Sequence, residues 1–530
     1  MTTEVREIER KYDPAAGTTA ALDAVKAMTG TAGVAAVSQQ DEQFLDAVYY
    51  DTADLRLIGA GITLRRRTGG GDAGWHLKLP AGADTRDEIR LPLAAAAGKP
   101  AASAAPGTAG RRAASPRAGA GAVPEELAAL VRAYTRGAAL APVARIQTSR
   151  RVLRLAGGAG QTLAEVAADH VSAEPAGRSA ATSWDEIEAE LVSAGPALLK
   201  KIDTRLRRAG ARPAATAAKL QRALAGRLPA GGAAREPPPL TGHSPAGEVV
   251  LGYVRDQVAA IWRYDPLVRR DAPDAVHQMR VATRRARSAL QAFGSIIDRD
   301  ATRPLCAELK WLAAALGPAR DGEVLLARLT ADLAAIPPAL VAGPAEARIT
   351  DRFTAELAQA GRSALAALDG QRYLCLLDDL DALLADPPLT PLAERQAGKA
   401  LPRPVRRAAR RLQRALAAVP AAGDRDAAIH EARKATKRAR YAAEAAAPAL
   451  GRAAGRQAAQ AKELQQLLGD HHDSVVARAV LLDLAGKARA AGEDTFTYGL
   501  MHQRQACQAA AIEQALPRFA ATSRDRTTGH

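Results

Sequence analysis

Acidic residues stand two positions apart near both ends of the first 200 residues. Glu7 and Glu9 open the run Glu-Ile-Glu-Arg-Lys, and Glu188 and Glu190 lie in Ile-Glu-Ala-Glu-Leu. Residues two apart in a strand point to the same side, so each pair presents two carboxylates on one face. Carboxylate oxygens suit hard divalent cations such as Mg²⁺ or Mn²⁺. Without a cation such a cluster would repel itself, so the pattern predicts a metal site.

Basic residues alternate in the same way in the segments between these acids. For any single strand, a solvated outer surface is the ordinary interpretation. Taken together, the strands with acids or bases on one face instead predict a closed sheet with a polar interior, whose acidic side holds cations and whose basic side holds phosphate. The bases that share a face are Arg65 and Arg67, Arg86 and Arg90, and Arg145 and Arg151.

An interior of this kind fits the hydrolysis of a phosphoanhydride. That reaction needs neutralised charge on the transferred phosphoryl group and a water held in line, which Arg, Lys and a divalent metal provide. The glutamate pairs meet only if the barrel closes between its first and last strands. In that case Glu165 or Asp169 completes the acidic cluster.

A second pattern occurs twice in the other half of the chain. A histidine is followed by bases at +3, +7, +8 and +10, from His277 to Arg287 and again from His430 to Arg440. Offsets of three, seven and ten fall within an arc of about 90° on a helix. No acid lies between His277 and Ser288 to balance these charges, as it would on an ordinary solvated face. The pattern therefore predicts a basic groove for a long polyanion, and the recurrence of the histidine favours ligand contact over a structural role.

The chain divides by its periodicity. Period-two alternation predicts strands up to about residue 190, interrupted by a Gly/Ala/Pro/Ser-rich stretch over 94–123 that is expected to be a disordered loop. A Pro-rich segment around 236–240 indicates a linker. Helical spacing follows to about residue 520. We expect a first domain over 2–205, a helix and linker over 206–246, and a helical domain over 247–520 with repeats at 247–385 and 402–520.

Composition narrows the partner and the compartment. A net charge of +16 and a pI near 10 imply a polyanionic partner. Only 3% of the residues are aromatic, which argues against nucleic acid because stacking platforms are scarce. The three cysteines have no paired spacing, which fits a reducing compartment. No segment reaches the roughly 20 apolar residues of a spanning helix, so we expect no membrane association and a cytoplasmic location.

The first half resembles the CYTH domain, the triphosphate tunnel metalloenzyme fold. The likeness rests on an ordered series of motifs: Glu7-Ile-Glu-Arg-Lys11, Tyr49-Tyr-Asp-Thr, Gly61-Ile-Thr-Leu-Arg-Arg-Arg67, Trp75-His-Leu-Lys78, Arg86-Asp-Glu88, Pro142-Val-Ala-Arg145 and Ile187-Glu-Ala-Glu190. It implies an eight-stranded antiparallel tunnel with metal at the glutamate pairs. It also implies triphosphate binding by Lys11, Arg65, Arg67, Lys78, Arg86 and Arg145. Of Arg150 and Arg151, we favour Arg151 because it shares parity with Arg145.

The second half resembles the CHAD domain, an α-helical domain named for its conserved histidines. The family is associated with polyphosphate binding and polyphosphate granules, and CYTH-CHAD fusions recur in bacteria. The resemblance predicts a groove lined by His277, Arg280, Arg284, Arg287, Lys310, Arg320, His430, Arg433, Lys437, Arg440, Lys462 and His472.

The expected fold is α+β and multidomain. An eight-stranded antiparallel β tunnel barrel with helices precedes an all-α tandem helical bundle with a pseudo-two-fold repeat.

The leading hypothesis for function is a polyphosphate-binding protein whose tunnel is a metal-dependent inorganic triphosphatase, with Glu7, Glu9, Asp169, Glu188 and Glu190 as metal ligands. The alternative is a non-catalytic polyphosphate-binding or granule scaffold. Two weaker hypotheses are nucleotide or thiamine triphosphate chemistry, for which no base or thiazole pocket is evident, and nucleic-acid binding.

Overall fold

A computed structural model of the chain describes residues 3–228, apart from 16, 32, 83, 94–120 and 178–180, and residues 239–524. The chain divides into two compact units, Met1–Glu236 and Pro237–His530. All but residues 121–123 of the loop expected over 94–123 lies outside the described residues, as does 229–238 of the linker.

The first unit is a closed barrel. Eight strands are paired antiparallel in the order β1-β6-β5-β4-β3-β7-β8-β9, and β1 also pairs with β9 to close the ring. Two short strands extend it, β2 along β7 and β10 along β1. The predicted eight-stranded antiparallel barrel is confirmed. The strands are β1 (Thr3–Pro14), β2 (Ala36–Gln39), β3 (Gln43–Asp51), β4 (Thr63–Thr68), β5 (Gly74–Pro80), β6 (Thr85–Pro92), β7 (Ala141–Ala156), β8 (Thr162–Pro175), β9 (Thr182–Leu191) and β10 (Ala211–Pro213).

The apolar core of this unit lies largely outside the barrel, between the strands and the covering helices. α5 begins at a proline, which suits the first helical turn, and buries a stripe that includes Ile202 and Leu206. This stripe packs in one cluster with Leu155, Val166 and Ile187 of the outer barrel face. The interior is thereby left for polar residues. The helices of this unit are α1 (Thr18–Lys26), α2 (Arg56–Gly59), α3 (Glu125–Leu130), α4 (Arg132–Thr135), α5 (Pro196–Arg208) and α6 (Lys219–Ala223).

The second unit is helical, as predicted. The segment α15 is broken at Gly451, whose φ of 61° lies in the left-handed region that glycine adopts without strain. No described helix is both long enough and apolar enough to cross a membrane. The helices are α7 (Ala246–Arg269), α8 (Ala275–Ala292), α9 (Arg299–Ala315), α10 (Gly317–Ala334), α11 (Ala345–Asp369), α12 (Gln371–Ala385), α13 (Ala397–Ala400), α14 (Pro402–Ala418), α15 (Arg425–Ala490) and α16 (Phe496–Arg524), with short 3₁₀ turns at Pro338–Leu340, Pro391–Glu394 and Val419–Ala421.

The two histidine-containing helices have one apolar and one basic face. In α8 the buried residues Met279, Ala282, Ala286 and Ala289 recur every three or four positions. The equivalent stripe of α15 consists of Ala432, Ala435, Ala439 and Ala442. Burial of these stripes in the helical core fixes the rotation of each helix about its axis. The histidines and bases between them are therefore placed together on the other face.

Candidate functional site

A polar cavity of about 110 Å³ lies inside the barrel. Its charged lining comes from six of the eight barrel strands, from Asp72 in the loop between β4 and β5, and from Lys219 of α6. Eight bases and six acids line the cavity, and the bases supply donors for an anionic ligand. The bases are Lys11, Arg65, Arg67, Lys78, Arg86, Arg90, Arg150 and Lys219, and the acids are Glu7, Glu9, Asp72, Glu88, Glu188 and Glu190.

Closure of the barrel brings the two predicted glutamate pairs together. In the β1–β9 pairing Glu9 lies directly opposite Glu190, and Lys11 lies opposite Glu188. Like charges directly across a ladder are destabilising, so the pair of glutamates requires compensation. Within the part of the chain that the structure describes, Glu190 forms no ion pair with a cation. Burial, with the carboxylate of Glu7, raises the pKa of Glu190 to about 7.

These features fit a divalent cation. Glu7, Glu9 and Glu190 supply hard oxygen donors to one cavity, although their carboxylate oxygens do not all lie within 4.8 Å of one another. Among the described residues no cationic side chain pairs directly with Glu190. A cation held by the three would remove their mutual repulsion and restore the ordinary ionisation of Glu190.

A second acidic group is already neutralised by protein side chains. The Nζ atom of Lys219 lies 2.9 Å from Asp169 and 2.7 Å from both Glu186 and Glu188. The carboxylate oxygens of these three acids lie within 4.8 Å of one another, a spacing that would also suit a metal ion. Arg150 contacts both Asp169 and Glu188. The predicted metal ligands Asp169 and Glu188 are therefore engaged by an ammonium and a guanidinium group, and Lys11 also contacts Glu188.

Lys219 is a site residue that sequence reasoning missed. It lies in α6, within the segment predicted to be helix and linker, and its side chain is only 8% exposed. A lone lysine in an Ala-rich run has no alternation that would mark it, and its partners lie at least 31 residues away. Only the closed fold shows its role.

Replacing Lys219 with methionine is expected to lower the free energy of unfolding of the first unit by about 3–5 kcal/mol near neutral pH, because buried carboxylates lose their partner. Burial raises the pKa of Asp169, but Lys219 and Arg150 lower it further, and the net pKa is below its ordinary value. Stability from this interaction is thus present above the unfolded-state pKa and lost as pH falls. The loss of unfolding free energy in the variant should therefore be smaller at acidic pH. Denaturant unfolding at several pH values measures this, with the exposed Lys201→Met as control; equal effects of both variants would contradict it.

The remaining tunnel bases contact acids or a phenol. Lys78 donates to Glu7 at 2.5 Å, and Arg65 donates to the Oη atom of Tyr49 at 3.2 Å. Glu88 is fully buried and accepts from His76 at 3.0 Å. Burial raises the pKa of Glu88, but the His76 hydrogen bond and nearby cations hold it well below its usual range. Glu88 and Arg90 share the predicted interior face of Arg86, but they were not predicted as ligand-binding residues; the alternation Arg86-Asp-Glu-Ile-Arg carries the signal.

Two predicted tunnel residues lie outside the tunnel. Arg145 is half exposed and forms an ion pair with Asp46 at 2.6 Å, and Arg151 donates to Thr18 of α1 at 3.0 Å. Arg150 lines the cavity instead. The alternation correctly grouped the β7 residues that share a face. The error was the assumption that the face with Ile146 points away from the interior.

In the structure Ile146, Thr148 and Arg150 line the cavity, because at this point the inner wall is partly apolar. The prediction that Arg145 and Arg151 line the tunnel is therefore wrong. Glu165, the alternative to Asp169, pairs with Arg154 at 3.3 Å and does not line the cavity.

In the helical unit, bases from both repeats meet in one place. We call this group the basic cluster. Arg284 of the first repeat influences the titration of Arg433 and Lys437 of the second. The rings of His430 and His472 lie 5.0 Å apart. The Nε atoms of Arg280, Arg320 and Arg433 are buried donors without an acceptor among the described residues. The cluster comprises His277, Arg280, Arg284, Arg320, His430, Arg433, Lys437 and His472.

The other predicted groove residues lie at the edge of the cluster or away from it. Arg287 follows Arg284 by one turn of α8, and Arg440 is held by Glu444 at 2.7 Å. Lys310 and Lys462 are exposed. No ion pair or hydrogen bond among the described residues joins either lysine to the cluster.

Crowding suppresses the charge of the cluster. Burial, together with Arg284 and Arg433, lowers the pKa of Lys437 to about 6. Burial, together with Arg433 and His430, lowers the pKa of His472 to about 4. The cluster is therefore held below its full charge in the absence of an anion, which an anionic ligand would reverse.

Binding of polyphosphate near neutral pH is expected to take up about one proton at Lys437, because an anion raises its pKa toward the ordinary value. This contribution to affinity is complete below about pH 6, where free Lys437 is already protonated, and falls as pH rises. Calorimetry in buffers of different ionisation enthalpy measures the uptake. Lys437→Arg keeps the charge but does not titrate, so it should bind without that proton. Unchanged uptake in this variant would contradict the assignment.

Comparison with known proteins identifies both halves. Residues 6–217 match the CYTH domain model, and residues 252–482 match the CHAD domain model. The uncharacterized protein Rv2226 of Mycobacterium tuberculosis is 40% identical over 520 residues, which cover 94% of this chain and 93% of that protein.

Two solved structures are similar over about half of the chain. PptA from Streptomyces chartreusis is 26% identical with a TM-score of 0.46, covering 52% of this chain and 99% of its own. The CHAD domain from the plant Ricinus communis is 27% identical with a TM-score of 0.45, covering 53% of this chain and 93% of its own. With both domain models matched in order and a relative similar over nearly its whole length, the chain belongs to the family of proteins in which a CYTH domain is followed by a CHAD domain.

Proposed function

We propose that the tunnel hydrolyses inorganic triphosphate, or the end of a longer phosphate chain, with a divalent cation, and that the helical unit binds polyphosphate. The observation that carries this proposal is the enclosed cavity, in which eight bases accompany acids that include the unpaired Glu190. A phosphate chain and a cation together would satisfy both sets of charges.

The tunnel bases would bind and orient the substrate. Lys11, Arg65 and Lys78 would contact phosphate oxygens, and the neighbouring arginines would neutralise the charge that develops on the transferred group. Water would add to the terminal phosphorus as the bridging P–O bond breaks, giving phosphate and diphosphate. The protein walls hold the chain end in line with this water, so that most of the entropy of alignment is lost on binding.

Glu7, Glu9 and Glu190 would hold the cation, which we propose to be Mg²⁺ or Mn²⁺. When bound, the cation supplies further charge neutralisation at the phosphate oxygens. Asp169 and Glu188 would instead fix the positions of Lys219 and Arg150, which are then presented to the substrate.

The helical unit would raise the local concentration of substrate. A phosphate chain held by the basic cluster remains tethered to the same polypeptide as the tunnel, which increases the effective concentration of chain ends. Association with polyphosphate granules in the cytoplasm would follow from the same binding.

The proposal is tested by measuring phosphate release from tripolyphosphate in the presence of Mg²⁺ or Mn²⁺. Turnover that a chelator abolishes supports it. No release with any divalent metal would refute hydrolysis and would leave the tunnel as a binding site.

A non-catalytic scaffold is the second candidate. The pairing of Asp169, Glu186 and Glu188 with Lys219 favours it, since this part of the tunnel is neutralised without a metal. In a scaffold, polyphosphate retention by the full chain would survive chelation and no phosphate would be released.

A further inference from the structure

A second basic cavity lies in the helical unit, beyond the basic cluster. It has a volume of about 820 Å³ and is formed by the end of α8, the start of α9, and α14 and α15. Six arginines line it against a single acid, Asp300, which is already paired with Arg303. The arginines are Arg299, Arg303, Arg407, Arg411, Arg414 and Arg438.

The sequence of α14 sets this cavity apart from an ordinary solvated face. The helix carries six arginines and no acid over 17 residues. By contrast α7, which begins the first repeat, mixes three arginines with three acids. Like charges at i and i+4 destabilise a helix, as between Arg407 and Arg411. Within the described residues no carboxylate pairs with any arginine of α14.

The cavity is continuous with the basic cluster. Along α8, Arg287 follows Arg284 of the cluster by one turn, and Gln291 of the cavity follows one turn later. Arg287 interacts electrostatically with Arg284 on one side and with Cys306 and Arg438 of the cavity on the other. On α15, Lys437 of the cluster is followed directly by Arg438 of the cavity. Arg287 thus lies within electrostatic reach of both sites.

We propose that the α14 cavity is a second polyphosphate subsite, which holds the part of a long phosphate chain that extends past Arg287 from the basic cluster. This inference rests on the proposed binding of polyphosphate by the helical unit. It adds a selection for length: a short phosphate chain occupies one site, whereas a long chain reaches both and gains affinity from each. The ligand is a flexible chain without bases to stack, in agreement with a lining that is rich in arginine and has no aromatic side chain among the described residues.

The test uses two triple variants of the whole 530-residue chain. The cavity variant, R407Q/R411Q/R414Q, replaces the three arginines of α14 that line the cavity. The control variant, R403Q/R406Q/R410Q, replaces the three arginines of α14 that do not line it. Both sets are exposed on the same helix and remove the same charge, so they differ only in the face that they change. Dissociation constants are measured for tripolyphosphate and for long-chain polyphosphate over a range of salt concentrations.

The cavity variant is expected to bind long chains about tenfold more weakly and with a shallower salt dependence, because three exposed charge contacts are lost. Its affinity for tripolyphosphate should be unchanged, and the control variant should bind both ligands nearly as the natural protein does. Equal weakening of long-chain binding by both variants, or none by either, would overturn the proposal. The proposal would also be overturned if the cavity variant lost affinity for duplex DNA but kept its affinity for long-chain polyphosphate.

Failure of the underlying function is distinguishable from failure of this inference. If the natural protein retains no long-chain polyphosphate, both fail. If it does, and R284Q/K437Q weakens binding while the cavity variant does not, only the second subsite is refuted.

Discussion

Glu9→Gln is expected to reduce metal-dependent phosphate release from tripolyphosphate by about two to three orders of magnitude. Glu9 lies at the junction of β1 and β9, opposite Glu190. Glutamine keeps the shape of the side chain but removes the charge that would hold the cation. Binding of phosphate by the surrounding bases should persist, since Lys11 and Arg86 lose only a competing partner at 3.8 and 3.7 Å.

The measurement is phosphate release as a function of Mn²⁺ or Mg²⁺ concentration. The variant should require more metal as well as turn over more slowly. Glu165→Gln is the matched control: Glu165 lies opposite Glu190 in the β8–β9 pairing but pairs with Arg154 outside the cavity. Glu165→Gln should retain activity. Full activity of Glu9→Gln, with its fold intact by circular dichroism, would remove the glutamates from the mechanism.

The double variant Arg284→Gln/Lys437→Gln is expected to bind long-chain polyphosphate about a hundredfold more weakly, because two charge-assisted contacts to phosphate are lost. The two residues come from different repeats and lie in the middle of the basic cluster. The thermal stability of the ligand-free variant should instead increase. Without an anion, Arg284 is a crowded cation whose burial lowers its pKa, so its removal should raise the melting temperature of the ligand-free protein.

Arg285→Gln provides the comparison for this variant. Arg285 is adjacent to Arg284 on α8 but lies 3.3 Å from Glu444, which already compensates its charge. Its replacement should leave polyphosphate affinity within about threefold of the natural value, as expected for a surface ion pair. Filter binding and thermal unfolding provide both readouts. A double variant that binds normally, or that loses affinity and melting temperature together, would show that these residues serve the fold and not the ligand.

Some of the tunnel could be predicted residue by residue, and the failures have a common cause. The alternation around Glu7, Glu9 and Lys11 is strict, so their shared face followed directly from strand geometry. For β7 the same reasoning correctly grouped the residues that share a face, but it placed the wrong face toward the interior. Ile146 lines the cavity there, because a tunnel wall need not be polar at every position.

Charge compensation was equally hard to foresee. Lys219 neutralises three acids that come from β8 and β9, and Arg150 bridges two of them. These contacts join residues that are far apart in the chain and show no periodic relation. They neutralise Asp169, Glu186 and Glu188, whereas Glu190 has no cationic partner among the described residues.

The sequence by itself determined the period of each segment, the repetition of the histidine motif and the membership of the two domains in known families. These properties depend on local geometry and on ordered motifs, both of which can be identified in the amino-acid sequence. The tertiary structure decided which side of β7 faces inward, that Lys219 enters the tunnel, and that bases of the two histidine motifs come within electrostatic reach of one another. Ring closure and helix packing bring distant residues together, and burial there sets which charges remain uncompensated.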